Sequence, residues 1–231
     1  MLGKRLINTV AGAAPSACTT DTLDLEGIPA GSCVAYYKLD STAADVTGNY
    51  DGTATNVTYT NSGQFSQAAV FNGSNSRLQL NQHPTASLFT ASMWINFNDV
   101  TTAQNILGNI TATAYAVGWT LGIASGKITL ITGNDTSAPW EMIKTYDFVF
   151  STNTWYHLVL VSNGASTNDL YVNGSVSTFT GTPPQIALNN AGPNIEISFG
   201  GGVRVLNGKI DQVRFFNKAL DSGEVAQLAN E

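Results

Sequence analysis

The sequence predicts an all-β protein, an antiparallel jelly-roll β-sandwich with an extended N-terminal arm and one short C-terminal helix. Short runs rich in β-branched and aromatic residues follow one another, and turn dipeptides such as Asn72-Gly73 and Asn207-Gly208 separate several of them. Strands and helical segments do not alternate as they would in a parallel sheet. At 231 residues the chain is long enough for one large sandwich.

The predicted strands share β-branched or aromatic side chains and flanking Gly, Asn or Asp residues that favour turns. In chain order they cover residues 34–39, 56–60, 68–71, 77–80, 91–98, 105–110, 118–123, 127–132, 143–150, the two arms of a hairpin over 154–175, 176–180, 195–199 and 208–216. Residues 34–231 are therefore expected to form the domain. Residues 1–33 lack periodicity and are expected to form an arm or lead-in segment.

The hairpin over 154–175 is expected at the centre of the fold. Two apolar runs flank a polar tip that contains Asn163-Gly164, and the second run ends at Asn173-Gly174, which tolerates the positive φ of a tight turn. The first run is apolar on both alternating faces apart from His157, so it predicts a central strand covered on both sides.

The end of the chain predicts a helix. Asp221 can accept hydrogen bonds from the free amides of the first turn, and Glu224, three residues later, completes a capping box. Val225 and Leu228 then form one apolar face.

The composition excludes some classes of function. Charged residues make up 11% and the formal net charge is −6, so the surface is mainly uncharged and polar and lacks the basic stripe of a nucleic-acid binder. No run approaches the roughly twenty apolar residues of a membrane span. Such a surface suits an extracellular or virion protein. The two cysteines, Cys18 and Cys33, either close a loop as a disulfide or remain free thiols.

Four segments carry a family resemblance. In chain order they are Val-Ala-Tyr-Tyr-Lys-Leu-Asp40 followed by Asp45, Gly48 and Asp51-Gly52; Gly63-Gln-Phe65 with Ala68-Ala-Val-Phe-Asn-Gly-Ser74; Trp155-Tyr-His157 with Leu170-Tyr-Val-Asn-Gly174; and Ile210-Asp-Gln-Val-Arg-Phe-Phe-Asn-Lys-Ala-Leu220. Together they resemble the LamG-like jelly-roll domains of the concanavalin A-like lectin and glucanase superfamily, over residues 34–229. The resemblance implies two stacked, curved sheets with the first and last strands adjacent, and a structural role for His157. It leaves the function open, because such domains bind glycans, proteins or calcium, act as glycosidases, or serve as structural modules.

The opening segment, Met-Leu-Gly-Lys-Arg-Leu-Ile-Asn-Thr, resembles the start of LamG-containing structural proteins of tailed bacteriophages. This resemblance implies a non-enzymatic virion structural protein, a capsid decoration or fibre component displayed on the exterior as a homo-oligomer and contacting host surface glycans. It also accounts for a start that matches a secretory signal peptide poorly. The alternatives are a free, extracellular carbohydrate-binding module or adhesin, and a glycoside hydrolase.

The arm is the predicted docking element for other virion proteins. It has too little apolar periodicity to bury itself, so it needs a partner surface to hold it. Basic side chains would pair with an acidic patch and apolar ones would fill a groove. The residues predicted for this contact are Leu2, Lys4, Arg5, Leu6 and Ile7.

The sequence does not predict a catalytic site. A retaining glycosidase of this superfamily would need two carboxylates on one strand, and the only glutamates two to four residues from another carboxylate are Glu26 in the arm and Glu224 in the helix cap. The chain is therefore expected to be a non-enzyme.

Calcium is the metal that the sequence suggests. Hard cations take oxygen ligands, and the loop 40–52 offers Asp and Asn side chains beside backbone carbonyls. If the first and last strands pair antiparallel, Asp40 at the end of one lies near Asp211 on the other. We therefore predict calcium ligation by Asp40, Asp51 and Asp211. The alternative is ordinary turn chemistry, in which Asp and Asn cap loop amides.

A glycan site needs an aromatic platform beside amides or carboxylates that satisfy sugar hydroxyls. The segment 111–149 supplies these groups, and Trp140 is its best exposed candidate. For Trp119, inside an apolar run, a place in the core is expected instead. The predicted glycan-binding residues are Tyr115, Asn134, Asp135 and Trp140.

Overall fold

The computed structural model describes residues 28–29, 31–81, 88–109, 117–134, 142–164, 167–181, 188, 194–199 and 204–231. These residues form a two-sheet antiparallel sandwich with one short C-terminal helix, which confirms the predicted fold class. The strands are β1 Cys33–Tyr37, β2 Gly52–Thr55, β3 Thr58–Thr60, β4 Ala68–Asn72, β5 Arg77–Leu80, β6 Phe89–Phe97, β7 Gln104–Gly108, β8 Val117–Ala124, β9 Lys127–Asn134, β10 Met142–Val149, β11 Trp155–Ser162, β12 Asn168–Val172, β13 Ser175–Ser177, β14 Glu196–Ile197 and β15 Asn207–Phe216, and the helix is α1 Ser222–Ala229. No helix among the described residues is long and apolar enough to cross a membrane.

Sheet A has eight strands and is built around β15. Its main path runs β13-β12-β11-β6-β15-β4-β3. Because β15 is ten residues long, its first half pairs with β4 and its second half with β1, both antiparallel. The first and last strands of the chain are therefore adjacent, as the family resemblance implied.

Sheet B has seven strands in the order β10-β9-β8-β7-β14-β5-β2. The sequence pattern does not predict β2, because its four residues, Gly-Thr-Ala-Thr, carry no large apolar side chain. The strand predicted over 195–199 is limited to β14, since Ser198 adopts a φ of 59° and ends the ladder.

The predicted central hairpin is confirmed as β11 and β12. Their register runs from Leu158 opposite Val172 to Ser162 opposite Asn168. On its other side β11 pairs with β6, so it lies inside sheet A. Its side chains are buried from Tyr156 onward on both faces, as the apolar run predicted.

The apolar core is divided between the two faces of sheet A. The larger cluster fills the space between the sheets, and the smaller one, which includes Val159 and Val161 of β11, packs against Val225 and Leu228 of α1. The helix therefore supplies the second cover that β11 requires.

The predicted capping box of α1 is also confirmed. The Asp221 carboxylate accepts a hydrogen bond from the Glu224 amide at 2.9 Å, and the Asp221 amide donates to the Glu224 carboxylate at 2.8 Å. These two bonds satisfy amides that have no partner inside the helix.

A β-bulge in β15 changes which side chains face outward. The register with β6 shifts between Asp211 and Arg214, and Gln212 within the bulge has a φ of 52°. Asp211 and Arg214 therefore both lie on the outer face of sheet A, although regular alternation would place residues three apart on opposite faces.

The described end of the predicted arm packs on the sandwich. Ile28 is buried in the cluster beneath α1, and the domain boundary at residue 33 stays a prediction. Cys33, in β1, is disulfide-bonded, and Cys18 lies outside the described residues.

Candidate functional site

A row of side chains crosses the outer face of sheet B, opposite to the core. Strand register places one residue from each of its seven strands directly opposite the next. We call these residues the outer row: Thr53, Gln79, Glu196, Gly108, Thr120, Ile131 and Ile143. Their neighbours along the strands, such as Leu78, Trp119 and Leu121, face the core, as period-two alternation requires.

Glu196 is the acidic side chain of the outer row. Its side chain is 21% exposed, and its Oε1 atom lies 3.5 Å from Nη1 of Arg77. Partial burial raises the pKa of the Glu196 carboxyl above its ordinary value, and the Arg77 guanidinium opposes that rise. The result is a half-buried carboxylate held beside a more exposed cation.

Thr120 is the buried hydroxyl of the outer row. The residue is 4% exposed, and its Oγ1 atom has no hydrogen-bond partner among the described residues. Gly108 stands between Thr120 and Glu196. A Cβ atom on Gly108 would lie 2.3 Å from the carbonyl oxygen of Trp119, so close strand packing excludes a larger residue here.

Of the predicted glycan-binding residues, the structure describes only the backbone of Asn134. Asn134 is the last residue of β9, and its side chain, like Tyr115, Asp135 and Trp140, lies outside the described part of the chain. Their role stays a prediction. Trp119 occupies the core as expected, stacked on Phe89 at a centroid distance of 5.3 Å.

The structure brings together two of the three predicted calcium ligands. The Asp211 carboxylate accepts a hydrogen bond from the Phe65 amide at 2.8 Å, and the Asp40 carboxylate accepts one from the Gln67 amide at 2.9 Å, two residues away. The pKa of Asp211 is raised to about 7, chiefly by burial; the hydrogen bond from the Phe65 amide opposes this rise and the charge of Asp40 adds to it. The second carboxylate oxygen of Asp211, Oδ1, is buried without a hydrogen-bond partner.

The third predicted ligand, Asp51, takes part in the organisation of its own loop. Its carboxylate accepts a hydrogen bond from the amide of Asp45 at 2.9 Å. The Asp45 carboxylate in turn accepts from the amides of Tyr36, Thr47, Asn49 and Tyr50. Within the described residues, no group of three or more His, Cys, Asp or Glu side chains is placed to hold a metal ion. Calcium binding stays a prediction.

His157 lies on the outer face of sheet A. Its Nε2 atom is 2.8 Å from the Ser92 hydroxyl, its ring is fully buried, and its Nδ1 atom has no partner among the described residues. The pKa of His157 is lowered to about 3, chiefly by burial and also by the charge of Arg214. This is the buried, hydrogen-bonded histidine that the family resemblance implied.

Arg214, on the same face, forms a buried ion pair with the last residue of the sequence. Its guanidinium nitrogens donate to both carboxylate oxygens of Glu231 at 2.9 and 2.5 Å, and both side chains are 0% exposed. The guanidinium also lies 4.4 Å from the ring centroid of Tyr36. The pair holds the end of the chain against sheet A.

The predicted docking residues, Leu2, Lys4, Arg5, Leu6 and Ile7, lie outside the described residues. The outer row was not predicted from the sequence. Its members come from seven strands that span residues 52–197, and only the register of the strands of sheet B brings them into line. Alternation within each strand could have identified Gln79 and Thr120 as facing away from the core, but not as neighbours.

Comparison with known proteins places the fold. A family model described as concanavalin A-like lectin/glucanases superfamily matches residues 71–226. No curated protein sequence matches the chain.

Three solved structures are similar in fold. Domain 4 of AbnA, a GH43 extracellular arabinanase from Geobacillus stearothermophilus, in complex with arabinotriose, has a TM-score of 0.65 and 23% identity, over 86% of this chain and 98% of that chain. The binding domain of Paraclostridial Mosquitocidal Protein 1 has a TM-score of 0.67 and 19% identity, over 86% and 52%. The binding domain of botulinum neurotoxin DC in complex with SialylT has a TM-score of 0.64 and 16% identity, over 87% and 51%. The chain spans about half the length of the two toxin domains.

Proposed function

Because this chain belongs to the concanavalin A-like lectin/glucanases superfamily, we propose that it is a non-catalytic carbohydrate-binding module whose ligand lies against the outer row of sheet B. The observation that carries the proposal is the row itself. Hydroxyl, amide and carboxylate groups of Thr53, Gln79 and Glu196 stand on adjacent strands and face the same side. Ligand sites combine such convergent polar groups with apolar surface, which Ile131 and Ile143 provide at the other end of the row.

The spacing of the row suits an extended oligosaccharide. Neighbouring strands lie about 4.8 Å apart, so the row offers a new side chain at each such interval. An oligosaccharide laid across the strands would meet polar groups in succession on β2, β5 and β14. Hydroxyl groups of the sugar can both donate to Glu196 and accept from Gln79.

The comparisons support carbohydrate binding as the function of such a domain. AbnA domain 4, which matches this chain along 98% of its own length, was solved with arabinotriose bound. The fold of this chain therefore matches nearly the whole length of a domain that was solved with an oligosaccharide. We propose an extracellular location on the same ground, since that arabinanase is described as extracellular.

Binding without hydrolysis is proposed from the surroundings of Glu196. A retaining glycosidase holds two carboxyl groups about 5 Å apart. The charged neighbour that influences the Glu196 pKa is Arg77, a cation rather than a second carboxylate. We expect no release of reducing sugar from laminarin or agarose. Turnover that disappears in Glu196→Gln would contradict the non-catalytic part of the proposal.

The resemblance of the opening segment supports a finer proposal, a structural role in a phage virion with the N-terminal arm as the docking element. The test is a deletion of residues 1–17, which removes the predicted docking residues and retains Cys18, Cys33 and Ile28. The shortened protein should fold and fail to join particles, as measured by mass spectrometry of purified virions. Normal incorporation would refute docking through the arm.

The test of carbohydrate binding is a glycan-array screen followed by calorimetric titration. The array should contain arabino-oligosaccharides and other neutral oligosaccharides together with sialylated ones. We expect saturable binding of at least one class, at one site per chain. Absence of binding to every class at millimolar ligand would refute the proposed function.

A further inference from the structure

Glu196 has hydrogen-bonding capacity that the described residues do not use. A carboxylate offers about four acceptor positions. Arg77 lies 3.5 Å away as an ion pair, and no described backbone or side-chain group donates a hydrogen bond to the Glu196 carboxylate. A half-buried carboxylate in this state gains most from a ligand that brings hydroxyl donors.

A second polar group in the same row is without a partner. The Thr120 Oγ1 atom is buried, faces the same side of sheet B, and forms no hydrogen bond with the described residues. Gly108 lies between Thr120 and Glu196 in the row, so the two groups are two strand spacings, roughly 10 Å, apart. The Thr120 hydroxyl is closed to solvent, whereas the Glu196 side chain is partly exposed, so Glu196 is the accessible acceptor in this part of the row.

We infer that Glu196 makes the outer row select neutral sugars over anionic ones, because its carboxylate accepts hydrogen bonds from ligand hydroxyls. The inference rests on the proposed function and specifies the substrate class of the same site.

The charges around the site explain the selection. Arg77 is the nearby cation, and its charge is already balanced by Glu196. The chain as a whole carries a net charge of −6, so no excess of positive charge is available for a carboxylated sugar. A sialic or uronic acid beside Glu196 would place a second negative charge next to its carboxylate. Burial already raises the pKa of this carboxyl, because it disfavours the charged form, and a like charge would disfavour that form further. A neutral hydroxyl donor avoids this repulsion and satisfies the carboxylate.

The experiment compares neutral oligosaccharides with their sialylated or uronic-acid counterparts on an array and by calorimetry. The wild-type chain should bind the neutral form at least about tenfold more tightly than the anionic form. Glu196→Gln should weaken neutral binding by about tenfold, the effect of one charge-assisted hydrogen bond, and should narrow the preference between the two forms.

A further variant separates the effect of the Glu196 carboxylate from that of net charge. Asp147→Asn is the control for charge, since it removes one negative charge from β10 of the same sheet, and it should leave affinity and preference unchanged.

The outcomes distinguish this inference from the proposed function. Preferential binding of anionic sugars, or unchanged affinity and preference in Glu196→Gln, would refute the inference while carbohydrate binding stands. No binding of any sugar by the wild-type chain would refute both.

Discussion

The buried histidine on sheet A should make the stability of this protein fall in mild acid. His157 has a pKa of about 3 in the folded chain against 6.5 for an exposed histidine, because burial penalises the imidazolium ion. Below pH 6.5 the His157 side chain therefore binds a proton in the unfolded chain but not in the folded chain. Because the pKa of His157 is lower in the folded chain than in the unfolded chain, the stability of the folded state is unaffected by this group above pH 6.5. It decreases as the pH falls below 6.5.

The magnitude follows from the size of the shift. Each pKa unit corresponds to about 1.4 kcal/mol, so His157 should reduce the free energy of unfolding by about 1.4 kcal/mol at pH 5.5 relative to pH 8. At pH 5 the reduction should reach about 2 kcal/mol. Such losses are a large part of the 5 to 15 kcal/mol, roughly, that stabilise a domain.

The matched variant is His157→Gln, which removes the titrating ring and can retain a hydrogen bond to Ser92. The free energy of unfolding is measured by urea titration at pH 8, 7, 6, 5.5 and 5. Other titrating groups, including Asp211, are common to both proteins and cancel in the difference. The wild-type chain should lose about 1.4 kcal/mol more than the variant between pH 8 and pH 5.5. Parallel pH curves for the two proteins would refute the argument.

Three further predictions concern stability. Glu231→Ala leaves the buried Arg214 guanidinium without its counter-ion and should lower the free energy of unfolding by about 3 to 5 kcal/mol in urea titrations. The double variant with Arg214→Met should recover much of that loss. Equal stability of the single and double variants would contradict the prediction. Asp221→Ala removes the helix cap and should cost about 1 kcal/mol, while a shift below the error of the measurement would show that α1 does not depend on its cap. If Asp40 and Asp211 bind calcium, the melting temperature should rise with calcium and fall with EDTA, and Asp211→Asn should abolish the response; a wild-type melting temperature indifferent to both would remove the calcium prediction.

The local elements of the fold could be predicted from the sequence. The hairpin of β11 and β12, the capping box at Asp221 and the two-sided burial of β11 all follow from neighbouring residues and their alternation. Two strands were missed or given the wrong length because the local sequence pattern is weak there. The strand β2 consists of small residues, and the end of β14 depends on the positive φ of Ser198.

The outer row could not be predicted from the sequence. The glycan-binding residues that the sequence predicted are not members of the row, and their role stays a prediction. Glu196 and Thr120 were not identified, because nothing in the local sequence marks them. They lie in one row only because each is opposite Gly108 on a third strand between them.

The sequence by itself determined that this chain is an antiparallel sandwich and where its hairpin and helix lie. These features depend on short-range alternation, turn residues and capping, which involve residues that are close together in the chain. The adjacency of the first and last strands was implied by the family resemblance. The tertiary structure alone decided which polar side chains share a face, and that the Asp211 carboxylate and the His157 ring are buried. The physical reason is that register and burial arise from pairing between distant segments, and a pKa depends on how much water those segments exclude.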